Sequence, residues 1–253
     1  MEEGPTSGIS GLAPPADRSG AAAGVWRWLG RVPFAQTASL QERLRQGVLA
    51  GGPETLLLLE HDPVITMGRS AEGANVLADE AELGRRGIAL HRASRGGDVT
   101  YHGPGQLVGY PVVGLRGGVR AHVEAMALAI ANVLAELGVA ASYRPAAPGL
   151  WVAFPHGEAK ICAFGINVHR RVVIHGFALN LDPDLGAFNL IVPCGIAGCA
   201  VTSVRALTGQ APTARSLAPR IAAALGQRFG IAFAAAEATA SSSQLQCCAP
   251  PLE

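Results

Sequence analysis

Charge is scarce in this sequence. Only 15% of its 253 residues are Asp, Glu, Lys or Arg, and the net charge is +1. About 25% of the residues of an ordinary soluble domain are charged. A chain without a strong excess of positive charge lacks the electrostatic field that attracts nucleic acid. We therefore expect no DNA or RNA partner.

Long apolar segments and paired cysteines are also missing. The longest run without a charged residue, Leu185 to Val204, is interrupted by Asn189, Pro193 and three glycines, so it lacks the apolar density of a membrane-spanning helix. The first residues show no basic region followed by an apolar one, which argues against a secretory leader. The five cysteines are odd in number and irregularly spaced, which indicates free thiols in a reducing compartment. We expect a cytoplasmic protein without a membrane partner.

Metal and nucleotide motifs are absent as well. The seven histidines form no HExxH pattern, and Cys194 with Cys199 lacks a second cysteine pair at zinc-ligand spacing. Neither GxGxxG nor the phosphate-binding loop GxxxxGK[ST] occurs. The sequence therefore predicts no metal site and no bound cofactor.

The two ends differ in composition from the middle. Residues 1–24 are rich in Pro, Gly, Ala and Ser, and residues 233–253 are similar. Because such segments cannot bury enough apolar surface to order themselves, we predict disordered extensions at both ends. The remaining residues, 25–232, are enough for one domain with a full core.

Helical and strand patterns alternate along that domain. Apolar residues at a 3.6-residue spacing predict a helix from Val119 to Gly138, and further helices are predicted at 33–51, 79–87 and 213–229. Short apolar runs predict strands at 55–60, 64–68, 88–93, 107–115, 149–154, 160–169 and 171–181. Residues 94–106 are predicted to form a loop. The pattern is that of an α/β fold, a single domain whose mixed β-sheet is flanked by helices.

The predicted loop carries unusual chemistry. Its segment RGGDVTYHGPGQ, from Arg95 to Gln106, combines four glycines with Arg, Asp, Tyr, His and Gln. Glycines let a backbone approach a ligand closely, and plain structural turns seldom need those polar residues together. A binding loop is favoured over a glycine-rich turn. His102 by itself fits a general base, a ligand or a half-buried structural histidine.

Lysine occurs once in the whole chain, as Lys160 at the start of an apolar strand. Arg serves any ordinary surface cation, whereas only Lys gives up its proton readily when it is desolvated. A lysine in this place usually extends to solvent. Its singularity favours a functional role.

In the segment IVPCGIAGCAVTSV, the thiol of Cys194 lies between a rigid Pro and a flexible Gly. Most free cysteines behave as small buried hydrophobes. The alternative is a nucleophile presented on a turn. The local pattern leaves both interpretations open.

Four segments together resemble the octanoyltransferases of lipoate biosynthesis. They are LLLLEHDPVITMGRS, RGGDVTYHGPGQLVGYPV, AKICAFGINV with HGFALNL, and IVPCGIAGCAVTSV. The resemblance covers roughly residues 26–229 in order and leaves out both ends. It implies the fold of the biotin and lipoate protein ligases.

The resemblance also implies an activity. That family moves an octanoyl or lipoyl group from acyl carrier protein to a lysine amine of lipoyl domains, through a thioester on a cysteine and without ATP. By motif match the cysteine is Cys194, and Lys160 matches the lysine that favours its thiolate. The acceptors implied are the lipoyl domains of 2-oxoacid dehydrogenase complexes and the H protein of glycine cleavage. The implied substrate-binding residues are Arg95, Gly96, Gly97, Asp98, Val99, Thr100, Tyr101, His102, Ala163, Phe164, Gly165, Gly176, Phe177 and Ala178.

Three other functions remain open at this point. An ATP-dependent lipoate or biotin ligase of the same fold would activate a free acid and would not need a reactive Cys194. A cysteine hydrolase or thioesterase would pair the thiol with a histidine base and pass the acyl group to water. A binding module without activity would only pack the thiol.

Overall fold

The computed structural model describes residues 21–236. Residues 1–20 and 237–253, most of the two predicted extensions, lie outside the described residues. The inner boundaries of those extensions are wrong by a few residues. Strand β1 (Ala22–Val32) begins before residue 25 and strand β12 (Ile231–Ala235) continues past residue 232. The two strands pair in parallel from Ala22–Ile231 onward, so that sheet hydrogen bonds order both segments.

The other elements follow the predicted alternation closely. The helices are α1 (Phe34–Leu49), α2 (Glu80–Arg85), α3 (Val119–Glu136), α4 (Val204–Thr208) and α5 (Ala214–Phe229). The remaining strands are β2 (Glu54–His61), β3 (Val64–Met67), β4 (Ala89–Arg92), β5 (Val99–His102), β6 (Gln106–Gly114), β7 (Ser142–Tyr143), β8 (Gly149–Phe154), β9 (Gly157–His169), β10 (Val172–Asn180) and β11 (Ala200–Val201).

A large mixed sheet forms the centre of the described residues. Its strands lie in the order β12-β1-β2-β6-β10-β9-β8-β7, and β11 pairs with β9. The pairs from β2 to β7 are antiparallel, whereas β12, β1 and β2 are mutually parallel and β11 joins β9 in parallel. The predicted mixed sheet and its antiparallel hairpins are confirmed.

Helices cover both faces of this sheet, as strand β2 shows. Leu56 and Leu58 pack into the core formed with α3 and α5. Leu57 and Leu59 point to the opposite face, where Leu40 and Leu44 of α1 cover them. Because side chains alternate along a strand, the unbroken apolar run of β2 fits a sheet buried on both faces.

A second sheet of order β4-β3-β5 lies beside the large one. The predicted loop at 94–106 is wrong in part, because Val99–His102 forms the strand β5 and pairs antiparallel with β3. All four residues of β5 are buried, so the sequence shows no alternation of polar and apolar residues from which this strand could be predicted. Tyr101 packs edge to face on Phe188, in the apolar cluster of this small sheet.

Candidate active site

The two residues singled out by chemistry meet in space. The Lys160 Nζ donates a hydrogen bond to the Cys194 Sγ at 2.9 Å. Lys160 lies on β9, and the chain after Cys194 returns to the same strand, where Val201 of β11 stands opposite Lys160. The Thr202 N–H also donates to the Lys160 carbonyl at 3.0 Å. The segment from Cys194 to β11 therefore returns to β9, and this short connection brings the Cys194 Sγ against the Lys160 Nζ.

Backbone strain marks the position of the thiol. Cys194 has φ 58° and ψ 16°, within a short helical turn at Pro193–Gly195. A residue with a Cβ seldom adopts this left-handed conformation, which persists only where the surroundings impose it. The turn presents the thiol to its neighbours and does not bury it as a strand end would.

Lys160 is buried, with only 4% of its surface exposed. Its Nζ lies 4.7 Å from the centre of the Trp151 ring, and a Cβ at Gly149 would come within 2.9 Å of its Cε. Among residues 21–236, no carboxylate forms an ion pair with Lys160. A buried cation needs a partner, and the partner that Lys160 contacts is the Cys194 Sγ.

The contact opens onto a cavity of about 440 Å³. Besides Lys160 and Cys194, it is lined by nearly every predicted substrate-binding residue: Arg95, Gly96, Gly97, Asp98, Val99, Thr100, His102, Ala163, Phe164, Gly165, Gly176, Phe177 and Ala178. Tyr101 does not line the cavity. Its place in the small-sheet cluster follows from the alternation of β5, which turns Thr100 and His102 the other way.

Two glycines on neighbouring strands make room for the binding loop. Gly165 of β9 and Gly176 of β10 are direct cross-strand partners. A Cβ at Gly165 would lie 3.1 Å from both the Arg95 Cδ and the Gly96 carbonyl oxygen, and one at Gly176 would lie 2.3 Å from the Gly109 carbonyl oxygen. The glycines are there because the backbone of the loop and of β6 approaches the two strands so closely.

Arg95 is a buried cation of the cavity wall. Its guanidinium donates to the Thr66 carbonyl at 2.7 Å, to the Thr66 Oγ1 at 2.8 Å and to the Gly96 carbonyl at 3.1 Å. Burial lowers the pKa of Arg95, while the nearby Cys194 opposes that shift. These bonds hold the first residues of the binding loop on strand β3.

Sequence reasoning missed part of the cavity wall, where Phe34, Tyr110 and His175 line it together with His102. We call these four residues the inner end of the cavity. His61 lies behind them and is fully buried. Its Nδ1 pairs with the Val32 carbonyl at 2.7 Å and its Nε2 with the Tyr110 hydroxyl at 2.7 Å. His61 is the last residue of the buried strand β2, after the apolar run LLLL and Glu60, and this place in a buried strand is the signal that would have indicated a buried, bonded ring.

The histidines of this inner end are neutral. Burial lowers the pKa of His61 to about 4, of His102 to about 3 and of His175 to about 4. The hydrogen bonds agree, since His102 Nδ1 lies 2.7 Å from the Gln106 Oε1, an acceptor only, and the Thr66 hydroxyl faces its Nε2 at 3.4 Å. Phe34 stacks parallel to the His102 ring at 6.5 Å. The inner end therefore offers uncharged ring faces to a ligand.

The other described thiols are unsuited to nucleophilic chemistry. Cys162 is fully buried on β9, and burial raises its pKa. Cys199 is half-buried, and burial also raises its pKa. Of the three, only Cys194 contacts a cation directly.

Comparison with known proteins agrees with this geometry. The family described as the lipoyl protein ligase A/B catalytic domain matches residues 33–226. The chain belongs to this family. An octanoyltransferase of Chloroflexus aurantiacus is 42% identical over 209 residues, which cover 81% of this chain and 93% of the relative. An octanoyltransferase of Solibacter usitatus is 47% identical over 188 residues, covering 72% of this chain and 82% of that protein. The resemblance stated from the motifs is confirmed.

Solved structures support the fold of this lipoyl ligase family member. A bipartite lipoate protein ligase from Thermoplasma acidophilum superposes with a TM-score of 0.68 at 20% identity, covering 85% of this chain and 87% of that one. A lipoate-protein ligase A bound with ATP gives a TM-score of 0.62 at 19% identity, covering 85% and 88%. The predicted lipoate-ligase fold is confirmed.

Two features are absent from residues 21–236, a membrane-spanning helix and a metal-ligand cluster. No helix there is both long and apolar enough to cross a membrane. No group of three His, Cys, Asp or Glu side chains there is arranged to hold a metal ion.

Proposed function

We propose that this protein transfers an octanoyl group from acyl carrier protein to a lysine amine of lipoyl domains, through a thioester on Cys194. The 2.9 Å contact between the Lys160 Nζ and the Cys194 Sγ, at a cavity lined by the predicted binding residues, is the observation that carries the proposal. The octanoyltransferase relatives support the acyl group and the class of acceptor.

The first step is a thioester exchange. The Cys194 thiolate attacks the carbonyl carbon of the carrier thioester, the new C–S bond forms, and the carrier sulfur leaves as a thiol with a proton from the Lys160 ammonium, which becomes a neutral amine. Lys160 stabilises the attacking anion, because a neighbouring ammonium favours the thiolate. One thioester replaces another, so that the exchange is close to thermoneutral and needs no ATP.

The cation in contact with the Cys194 Sγ is Lys160, which makes it the group assigned here to stabilise the oxyanion of this step. The N–H groups of Gly195 and Ile196 already donate to the carbonyls of Val192 and Pro193, at 3.0 and 3.1 Å. They are therefore engaged in holding the turn. A buried ammonium next to the reacting carbon stabilises developing negative charge better than it would in water.

The second step transfers the chain to the acceptor. The acceptor amine attacks the acyl carbon, an amide C–N bond forms, and the C–S bond to Cys194 breaks. Lys160 loses its anionic partner once Cys194 is acylated, and it then takes the proton that the amine releases. The products are an amide and the original thiolate beside a protonated Lys160.

A hydrolase mechanism receives no support from this geometry. Such an enzyme needs an imidazole in contact with the thiol. The contact of Cys194 is Lys160, while both ring nitrogens of His102, the histidine of the binding loop, are turned to Gln106 and Thr66. The chemistry of the site is therefore that of an acyl transferase whose lysine serves the thiol.

Intact-mass spectrometry tests the proposal. Incubation with octanoyl-carrier protein, without ATP, is expected to add one octanoyl mass to the enzyme, and a lipoyl domain is expected to remove it as an amide. Cys194→Ser is expected to prevent the labile adduct, whereas Cys199→Ser, a matched control in the same loop, is expected to leave it unchanged. An adduct that survives in Cys194→Ala, or one that ends as free octanoate in the presence of a lipoyl domain, contradicts the proposal.

A further inference from the structure

Asn75 and Asp98 form a hydrogen-bonded pair behind the turn that carries the thiol. The Asn75 Nδ2 donates to the Asp98 Oδ2 at 2.7 Å. The Asp98 Oδ1 accepts from the backbone N–H of Val99 at 2.7 Å. Asn75 belongs to a short helical turn before α2, and Asp98 directly precedes strand β5 in the binding loop. The pair therefore joins two segments that are distant in sequence.

The same asparagine binds the segment leading to Cys194. The backbone carbonyl of Asn75 accepts from the Val192 N–H at 2.8 Å. Its neighbours continue the contact, since Val76 pairs with Ile191 as an isolated bridge and the Leu77 N–H donates to the Leu190 carbonyl at 2.8 Å. The approach to the turn is thus fixed from residue 190 to residue 192.

On its other side, the turn at Pro193–Gly195 packs against the Asn75–Asp98 pair. A Cβ at Gly195 would lie 2.4 Å from the Asp98 Oδ2 and 3.4 Å from the Asn75 Nδ2. Gly195 has a positive φ of 68°, next to Cys194 with its φ of 58°. Two successive residues in the left-handed region need an external support, because each is unfavourable for an unsupported chain or tolerated only by glycine.

We propose that the Asn75–Asp98 pair is a positioning device that holds the strained Cys194 turn, so that the Sγ stays in contact with the Lys160 Nζ. Both oxygens of Asp98 already accept hydrogen bonds inside the protein, which assigns this carboxylate to positioning and not to proton transfer. This role rests on Cys194 being the nucleophile of the proposed function. It predicts that a substitution that breaks the Asn75–Asp98 hydrogen bond lowers the reactivity of the Cys194 thiol while the protein remains folded.

Alkylation of Cys194 by iodoacetamide, followed at the Cys194 peptide by mass spectrometry across pH, measures this role directly. Asn75→Ala removes an uncharged group, so that the variant itself takes no charge away from the thiol. We expect its alkylation at pH 7 to slow roughly tenfold and the midpoint of its pH profile to move upward by about one unit, which corresponds to a tenfold lower thiolate fraction. Asn189→Ala, an exposed asparagine nearby, is the matched control and is expected to match the parent.

A swap of the two side chains separates positioning from general damage. Asn75→Asp places two carboxylates in contact and is expected to slow alkylation at least as much as Asn75→Ala. The double variant Asn75→Asp with Asp98→Asn restores one donor and one carboxylate with similar shapes, and it is expected to recover the parent rate to within about threefold. Because the double variant has side chains of similar shape, it still tests the proposal if Asn75→Ala folds poorly.

The outcomes distinguish this proposal from the proposed function. A parental pH profile in Asn75→Ala, or a swap that stays as slow as Asn75→Asp although its melting temperature is parental, overturns the positioning role. A parent that alkylates rapidly at Cys194 yet forms no octanoyl adduct overturns the acyl transfer and leaves the positioning role standing.

Discussion

The two ends of the cavity treat buried polar groups in opposite ways. At the mouth, the Lys160 Nζ donates to the Cys194 Sγ, and Cys194 lies in a turn whose backbone is strained. At the inner end, His61 and His102 have partners for both ring nitrogens and carry no charge. One end holds a buried amine in contact with a sulfur on a strained turn, while at the other end His61 and His102 are neutral and hydrogen-bonded.

The proposed function accounts for this contrast. A reactive thiolate needs a cation and must avoid competing hydrogen bonds that would weaken its attack. A pocket for an alkyl chain needs a surface without unpaired hydrogen-bonding groups, and a neutral ring whose nitrogens are bonded elsewhere provides such a surface. A chain of hydrogen bonds from Gln106 through Asn180 to the Thr202 carbonyl links the two ends. The cavity is thus one scaffold with two chemical environments.

Replacing Lys160 is expected to give the largest effect, because it removes the amine that contacts the Cys194 Sγ at the mouth. Lys160→Met leaves the thiol without a cation and the acceptor amine without a base, so we expect octanoyl transfer to fall by at least about 10²-fold. Rapid-quench measurement of acyl-enzyme formation and of amide formation separates the two losses.

Lys160→Arg separates the two roles of the lysine. The guanidinium keeps the positive charge but does not release a proton, so that acylation is expected to be retained better than transfer. An arginine variant that passes the chain on at the parental rate would show that Lys160 is no base in the second step. Parental rates in Lys160→Met would remove the contrast between the two ends altogether.

Acid is expected to act at the inner end. The folded-state pKa of His61 lies near 4, below the ordinary 6.5 of an unfolded chain, so the stabilisation is present above pH 6.5 and is lost as the pH falls toward 4. From pH 6.5 to pH 5 the free energy of unfolding is expected to fall by about 2 kcal/mol for each such buried histidine. Urea unfolding at several pH values measures the slope.

A variant identifies the source of that acid sensitivity. His61→Gln removes one titrating group and is expected to flatten the pH dependence, whereas His156→Gln changes an exposed histidine of the β8–β9 turn and is expected to leave it as it is. An unchanged slope in His61→Gln would mean that His61 titrates alike in the folded and unfolded chain.

Prediction from sequence succeeded where a pattern is local. The apolar run of β2, the amphipathic α3 and the helix α5 are each readable from neighbouring residues, and all three are present. Strands β1, β7, β11 and β12 were not predicted, because each depends on a partner elsewhere in the chain. β1, for instance, mixes Trp and Arg without clear alternation and is ordered by β2 and β12 on its two sides.

The site shows the same limit. Unusual residue types indicated Lys160 and Cys194 singly, and the motif resemblance paired them, but no spacing along the chain gives a distance between residues 34 positions apart. The inner wall was missed because Phe34 and Tyr110 are ordinary apolar residues in sequence and become special only through the histidines they contact.

Gly176 lies on β10 in the wall of the cavity, and its substitution tests the packing of β10 against β6. A Cβ there would meet the Gly109 carbonyl and the Pro111 Cδ at 2.3 and 2.6 Å, so Gly176→Ala forces backbone shifts that cost about 1–3 kcal/mol. Thermal unfolding is expected to show the loss. Gly47→Ala on α1, where a Cβ meets nothing within 4 Å, is the matched control and is expected to be neutral or slightly stabilising. Equal melting temperatures for the two variants would contradict the close approach.

Tyr101 is expected to give the smallest effect, although the motif resemblance includes it among the substrate-binding residues. Its ring packs on Phe188 away from the cavity, and its hydroxyl is directed at the backbone of Gly103. Tyr101→Phe keeps the ring contact, so we expect octanoyl transfer within twofold of the parent. Thr100→Val, the adjacent change on the cavity side of β5, is expected to alter the Michaelis constant for the acyl donor more strongly. If Tyr101→Phe instead lowered transfer tenfold, the phenol would have to reach the substrate, and the division of β5 into a cavity face and a core face would be wrong.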